Sequence, residues 1–297
     1  MTSSSQFYSW QNFRCAYSVF GSSEISAAPP LVLIHPIGVG LSRTFWQRFI
    51  ETYLSQNSIT IYNPDLLGCG ACDMPAIAYY PIDWAKQLQH FIQTVVKQPV
   101  SLVVQGASFP IAIKLIQLLE PHWVKGLILS APPAWRTMSD PAKPIQQKLL
   151  WNLLFDSPIG LGNLFYRYAR RREFLESFSV RQLFAHVEQV DSQWLNELIK
   201  GSTNLQSRYA VFSFLAGFWR QDYTLDIAQI TQPTLAVFGS QTSSISQEGK
   251  SETVQERLNL YTSNLPQGQG CIIPGRNVLP YESTADFVKA VANFEQH

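Results

Sequence analysis

Histidine is scarce in this 297-residue chain: His35, His90, His122, His186 and His297 are the full set. A hydroxyl or thiol nucleophile needs a base beside it, so this scarcity restricts where such chemistry can sit. Cysteine is nearly as rare, with Cys15, Cys69, Cys72 and Cys271. Cys69-Gly70-Ala71-Cys72 has C-x-x-C spacing, but no second pair and no paired histidines follow to complete a zinc site. A thioredoxin-like role needs the motif at a helix start, whereas here it falls in a Gly-rich loop after a strand. These cysteines are read as reduced loop thiols, and neither a metal nor a cofactor is expected. Charged residues make up only 14% of the chain and the net charge is +1, which gives no whole-chain reason to bind nucleic acid. No apolar run approaches the ~18 residues that span a membrane. Met1 to Gln6 lacks the basic start and apolar segment of a signal peptide, so a cytoplasmic location is expected.

Apolar residues, by contrast, are plentiful at 46%, with 18 Phe, 12 Tyr and 8 Trp. That is enough for one large core or a core with an insertion. Residues 6–20 alternate as strands do, with a turn at Gly21-Ser22-Ser23. Leu31-Val32-Leu33-Ile34 fits a strand buried on both faces. A helix follows over 42–54, then a strand at 60–63 and a helix over 82–96. Ser101 to Val104 is a buried strand, followed by a helix to Leu119 and a strand over 124–129. This alternation predicts a parallel sheet with right-handed crossovers and helices on both faces. From Ala134 to about Asp226 the pattern is helical throughout. Strands resume at 234–238 and 270–273, and Ser283 or Thr284 is placed to cap a last helix ending near Phe294. Three parts are expected: an α/β core over 1–133, an all-helical cap over 134–226, and the rest of the core over 227–297.

Several of these segments carry more than a strand or a turn. Leu31 to Gly40 reads LVLIHPIGVG. Asn63 to Gly70 reads NPDLLGCG. Gln232-Pro233-Thr234-Leu235 opens a strand, and Ile273-Pro274-Gly275 and Leu279-Pro280 bracket a loop. In this order they resemble the α/β-hydrolase superfamily over nearly the whole length: the His-Gly oxyanion loop with Pro36 for the usual glycine, the P-D-x-x-G-x-G loop, the x-P-T-L strand and the catalytic-histidine loop. The pattern is also similar to cyanobacterial members of that superfamily. The resemblance implies the α/β-hydrolase fold, a mostly parallel central sheet flanked by helices with an inserted helical cap. It also implies a search for a nucleophile, a base, an acid and an oxyanion hole.

The base position falls on Val278. Past the cap the only histidine is His297, at the last residue. The acid position, in Gly239-Ser240-Gln241-Thr242, falls on Thr242, and the alternative after Leu129 reads Ser130-Ala131-Pro132-Pro133. Neither carries a carboxylate. The elbow, Val104 to Pro110, admits two registers. Aligned on the strand, its apex is Ala107 or Gly106. Aligned on glycine spacing, Gly106-x-Ser108-x-Pro110 makes Ser108 the nucleophile. Ser108 can equally cap the helix that follows. His35, Ile37, Gly106 and Ser108 line the implied oxyanion-type site, with the Ile37 amide and one at Ala107 or Ser108 as donors. In the cap, Trp151, Phe165 and Trp219 are expected to face the cleft, and Arg170-Arg171-Arg172 gives it a basic edge. Such a surface suits a lipophilic small molecule, a protein partner or peripheral membrane contact. It equally suits cap helices packed on the core with solvated arginines. The leading expectation is a non-hydrolytic pseudo-enzyme. The alternative is an esterase or lipase-like hydrolase using Ser108 with His186 or His35 as an unusual base.

Overall fold

Strands buried on both faces organise the molecule. The computed structural model describes residues 4–21, 28–155 and 160–296. Leu31–Ile34 (β3) and Val100–Gln105 (β5) have every residue buried, as the apolar runs Leu31–Ile34 and Leu102–Val104 require. They pair in parallel, Leu31 beside Ser101 and Ile34 beside Val104. Around them lie Gln6–Trp10 (β1), Phe13–Phe20 (β2), Ile61–Pro64 (β4), Val124–Ser130 (β6), Thr234–Gly239 (β7) and Gly268–Ile273 (β8). The eight strands run in the order β1-β2-β4-β3-β5-β6-β7-β8. Only β1/β2 and β2/β4 are antiparallel; the others are parallel.

The helices on this frame are Gln47–Leu54 (α1), Pro81–Phe91 (α2) and Phe109–Leu118 (α3). Next come Trp135–Ser139 (α4), Pro144–Phe155 (α5), Leu161–Ala169 (α6), Arg172–Phe178 (α7), Ser192–Gly201 (α8), Arg208–Leu215 (α9) and Thr224–Ala228 (α10). The last are Val254–Asn264 (α11), Leu279–Glu282 (α12) and Thr284–Glu295 (α13). Between β6 and β7 the described residues form helices and connections and no strand.

Two apolar layers cover the sheet. One joins Val32, Ile34, Val104 and Leu129 to α2 and α3. The other joins Leu31, Leu33, Val103 and Val237 to α1 and α13, and also holds Leu195 and Leu198 of α8.

Some boundaries differ from the expected ones. The helix expected over 82–96 is α-helical only to Phe91, then widens into a π turn over Ile92–Val96 that ends at Lys97 in left-handed conformation. Ser283 stands at the start of α13, but its side chain makes no cap bond. The Thr284 hydroxyl instead donates back to the Pro280 carbonyl at 3.0 Å. Thr284 is the first residue of the helix, one past the cap position, so its hydroxyl reaches the preceding turn rather than the free amides of the helix start. Gly21 turns with φ +92° at the expected place; Ser22 and Ser23 lie outside the described residues.

Candidate functional site

β5 ends at Gln105 and α3 begins at Phe109, so three residues make the turn between them. Gly106, not Ala107, takes the left-handed conformation there, at φ +54°. A Cβ on Gly106 would meet only the Ala131 carbonyl oxygen, at 3.9 Å. The apex therefore has room for a side chain and holds none. Ala131, across the sheet at the end of β6, also has positive φ, which costs a non-glycine residue of order 1–3 kcal/mol. Non-glycine strain of this kind clusters where a site needs a particular backbone shape.

Ser108 is buried and does not cap α3. Its hydroxyl donates to the backbone carbonyl of His35 at 2.8 Å. The His35 imidazole is itself fully buried and used at both ends. Nδ1 lies 2.8 Å from the Pro36 carbonyl, which only accepts, so Nδ1 carries the proton. Nε2 then accepts from the Leu66 amide at 3.0 Å. Burial pushes the His35 pKa down, opposed by the nearby Asp65 carboxylate. The expected pairing of Ser108 with His35 as a base is thus not made: the hydroxyl meets the carbonyl and both ring nitrogens are taken. His186 is exposed, and no hydrogen bond joins it to Ser108. His90 bonds to the Ser9 carbonyl, His122 sits beside Glu120, and His297 lies outside the described residues.

Asp65 fastens the same side of the site. It is almost wholly buried and accepts from the Arg43 amide at 2.8 Å, from the Arg43 guanidinium, and from the Ala71 amide at 2.9 Å. The cysteines near it serve the same loop. Cys72 accepts from the Ala16 amide and donates to the Asp65 carbonyl, each at 3.2 Å. The side-chain interaction with Cys72 is the main influence holding the Cys15 thiol below its ordinary pKa, while burial raises Cys69 and Cys72. All four cysteines are unbridged, and among the described residues no cluster of metal ligands forms.

The opposite side is the loop from Gly275 to Glu282. Val278 is buried in the same apolar layer as Val237, Ala131 and Phe184. Glu282 turns back on this loop, accepting from the Arg276 and Val278 amides with one oxygen and from the Ala185 amide with the other. Asn277 donates to the carbonyls of Gln182 and Ser243 at 2.7 and 3.0 Å. The Thr242 hydroxyl donates to the Arg276 carbonyl at 2.6 Å and accepts from the Gly239 amide. Thr242 and the Val278 loop are therefore brought together, with a hydroxyl–carbonyl bond between them. One bond crosses to the elbow: Gln105 Nε2 donates to the Asn277 carbonyl at 2.7 Å. Gln105 Oε1 and Ser130 Oγ, on paired positions of β5 and β6, are buried without a hydrogen-bond partner among the described residues. Such orphans are uncommon in folded proteins and draw attention to this end of the sheet. Sequence reasoning missed both. Their adjacency needs the β5/β6 register, and two polar residues closing apolar strands are the only local signal.

Of the aromatic residues expected to face the cleft, Trp151 and Phe165 pack on the cluster Tyr166, Val211 and Phe212, which also touches Val39, two residues beyond Ile37. Trp219 stacks on Phe214, centroids 5.4 Å apart, and packs against the main core layer. The Ile37 side chain is buried in that same layer. Among the described residues its N–H meets no hydrogen-bond partner.

A family model for the α/β hydrolase family matches residues 31–290. The chain belongs to that family. No curated protein matches it by sequence. Solved structures match across its length. A serine hydrolase involved in carbazole degradation is 19% identical, covers 99% of this chain and 98% of its own, and superposes with a TM-score of 0.73. An esterase from Thermogutta terrifontis is 16% identical over 100% and 98%, TM-score 0.72. A bromoperoxidase from Bacillus anthracis is 15% identical over 99% and 100%, TM-score 0.75. At these identities the likeness is one of fold.

Proposed function

We propose that this chain is a non-hydrolytic member of its family that holds a lipophilic carbonyl or carboxylate compound between the sheet and the helical cap. One observation carries the reading: the turn between β5 and α3 has a glycine at its left-handed apex, Gly106, and the facing loop presents Val278. A hydrolase of this fold sets its serine on that sharp turn and its histidine in that loop. Thr242 in the acid's place then has no imidazole to orient. Ser108, two residues past the apex, spends its proton on a backbone carbonyl.

The backbone half of the site supports binding without cleavage. In this fold the residue after the apex and one in the β3 loop supply the two amides of the oxyanion hole; here they are Ala107 and Ile37. Amides at a helix start favour a partial or full negative charge on a ligand oxygen. The nearby cluster of Trp151, Phe165 and Tyr166 beyond Val39 supplies apolar company.

Equilibrium dialysis with methyl decanoate tests the reading. The ester is expected to bind and to be recovered intact. Release of decanoate that disappears in Ser108→Ala would establish a Ser108 hydrolase instead.

A further inference from the structure

Helix α5 is apolar on its outward side. A surface helix ordinarily buries its apolar stripe, yet none of the twelve residues of α5 is buried. Ile145, Leu149 and Leu153 recur every four residues and so lie along one face; they are 82%, 70% and 46% exposed. Other residues make the inward contacts. Gln147 Nε2 donates to the Gly217 carbonyl at 2.7 Å, Trp151 packs on Phe218, and Leu154 joins the Tyr166 cluster. Helix α6 divides the same way. Gly162, Tyr166 and Ala169 are buried, while Leu164 and Tyr168 are 61% and 54% exposed. The two helices touch through their backbones: a Cβ on Gly162 would lie 1.8 Å from the Leu154 carbonyl oxygen. Both pack their inner sides on one cluster, so their outer sides adjoin on the surface.

The charged residues described on α5 and α6 are all basic. Lys143, Lys148, Arg167, Arg171 and Arg172 are exposed on α5, α6 and their ends. Among the described residues none of the five takes part in an ion pair. Arg171 lies over the Tyr168 ring at 5.9 Å, and Arg172 donates to the Asn196 side chain. From Pro141 to Arg172 the sequence holds one acidic residue, Asp156, and six basic ones, in a chain whose net charge is only +1. Glu173 and Glu176 follow on α7.

We infer that the outer face of α5 and α6 docks on an anionic lipid surface. Apolar side chains enter the headgroup boundary and the surrounding lysine and arginine side chains meet lipid phosphates, as for helices lying in the plane of an interface. A protein partner of ordinary composition would be met by both signs of charge; a basic rim with an apolar centre complements anionic lipid. The inference is independent of what the site near Gly106 binds or does.

Co-sedimentation of the full chain with lipid vesicles tests it. Vesicles of phosphatidylcholine mixed with phosphatidylglycerol are expected to carry the protein down, pure phosphatidylcholine not, and raised salt to release it. Replacing Lys148, Arg167 and Arg171 by Gln is expected to weaken the partition about fivefold for each charge removed, or ~100-fold together. Leu149→Asp with Leu153→Asp is expected to abolish it while leaving the thermal midpoint unchanged, because both side chains are solvent-facing. Equal binding to neutral and anionic vesicles, or binding to neither, would overturn the inference. So would a dimer that depends on Leu149 and Leu153 and shows no vesicle binding, since the face would then be a contact between copies of the chain.

Discussion

The two sides of the elbow are held by different means. On the β3–β4 side, the His35 imidazole ties Pro36 to Leu66, the Asp65 carboxylate ties Arg43 to Ala71, and the Ser108 hydroxyl joins the turn before α3 to the His35 carbonyl. On the β7–β8 side, residues 239–243 and 275–282 are laced through Glu282, Asn277 and Thr242, and tied to helical-segment residues 182–185. The first side keeps a sharp turn and amides at a helix start. The second joins the loop of Thr242 to the loop of Val278 through the bond from the Thr242 hydroxyl to the Arg276 carbonyl. The backbone geometry of the first side is fixed by strand register and buried polar bonds, which folding itself requires. In the loop around Val278 the polar groups are spent on holding the loop closed.

Breaking the first side is expected to have the largest effect. Asp65→Ala removes three acceptor bonds and leaves the Arg43 guanidinium mostly buried without its partner. Loss of one member of a buried pair costs about 3–5 kcal/mol, and urea unfolding measures it. Breaking the second side is expected to cost less. Glu282→Ala frees the amides of Arg276, Val278 and Ala185 from a half-exposed carboxylate, and about 2 kcal/mol is expected from charge-assisted bonds of this kind. A larger loss for Glu282→Ala than for Asp65→Ala would reverse the comparison.

The first side also carries a pH signature. Burial lowers the His35 pKa in the folded chain below its unfolded value of about 6.5. The unfolded state therefore binds the proton more readily. The contribution is fully present above about pH 6.5 and declines as pH falls through the folded pKa. Unfolding free energy measured from pH 7.5 to 5 is expected to fall toward acid, and to fall less steeply in His35→Gln. Smaller still are Thr242→Val, which removes the hydroxyl's bond to the Arg276 carbonyl and its acceptance from the Gly239 amide for about 1–2 kcal/mol, and Gly106→Ala. At Gly106 the space is free, so only the left-handed conformation is charged, about 1–2 kcal/mol. Thermal midpoints check both, and a Gly106→Ala loss well above that range would mean that the apex is packed rather than open.

The sheet was legible because strands such as Ser101 to Val104 are apolar on both faces, a pattern only a covered strand needs. Thr242 and Val278 are read as acid and base positions from the spacing of Pro233-Thr234 and Gly275…Pro280, and the structure joins their loops through the Thr242 hydroxyl and the Arg276 carbonyl. The elbow register was not legible, since backbone conformation is not written in hydrophobic pattern. The signal available was the glycine: of the residues from Val104 to Pro110, only Gly106 adopts positive φ without a Cβ penalty. The cap role weighed for Ser108 failed for a different reason. Its partner carbonyl lies 73 residues away in sequence, across the sheet. Helix α5 was readable as apolar, but whether its stripe faced core or solvent depended on which of its residues met α6 and α9.

The most direct measurement is treatment of the folded chain with a fluorophosphonate, followed by mass spectrometry of its peptides. With Gly106 at the apex and Val278 in the facing loop, no serine is activated, and no adduct is expected on Ser108 or elsewhere. A stoichiometric phosphonyl adduct on Ser108, absent from the urea-unfolded chain and from Ser108→Ala, would contradict that account.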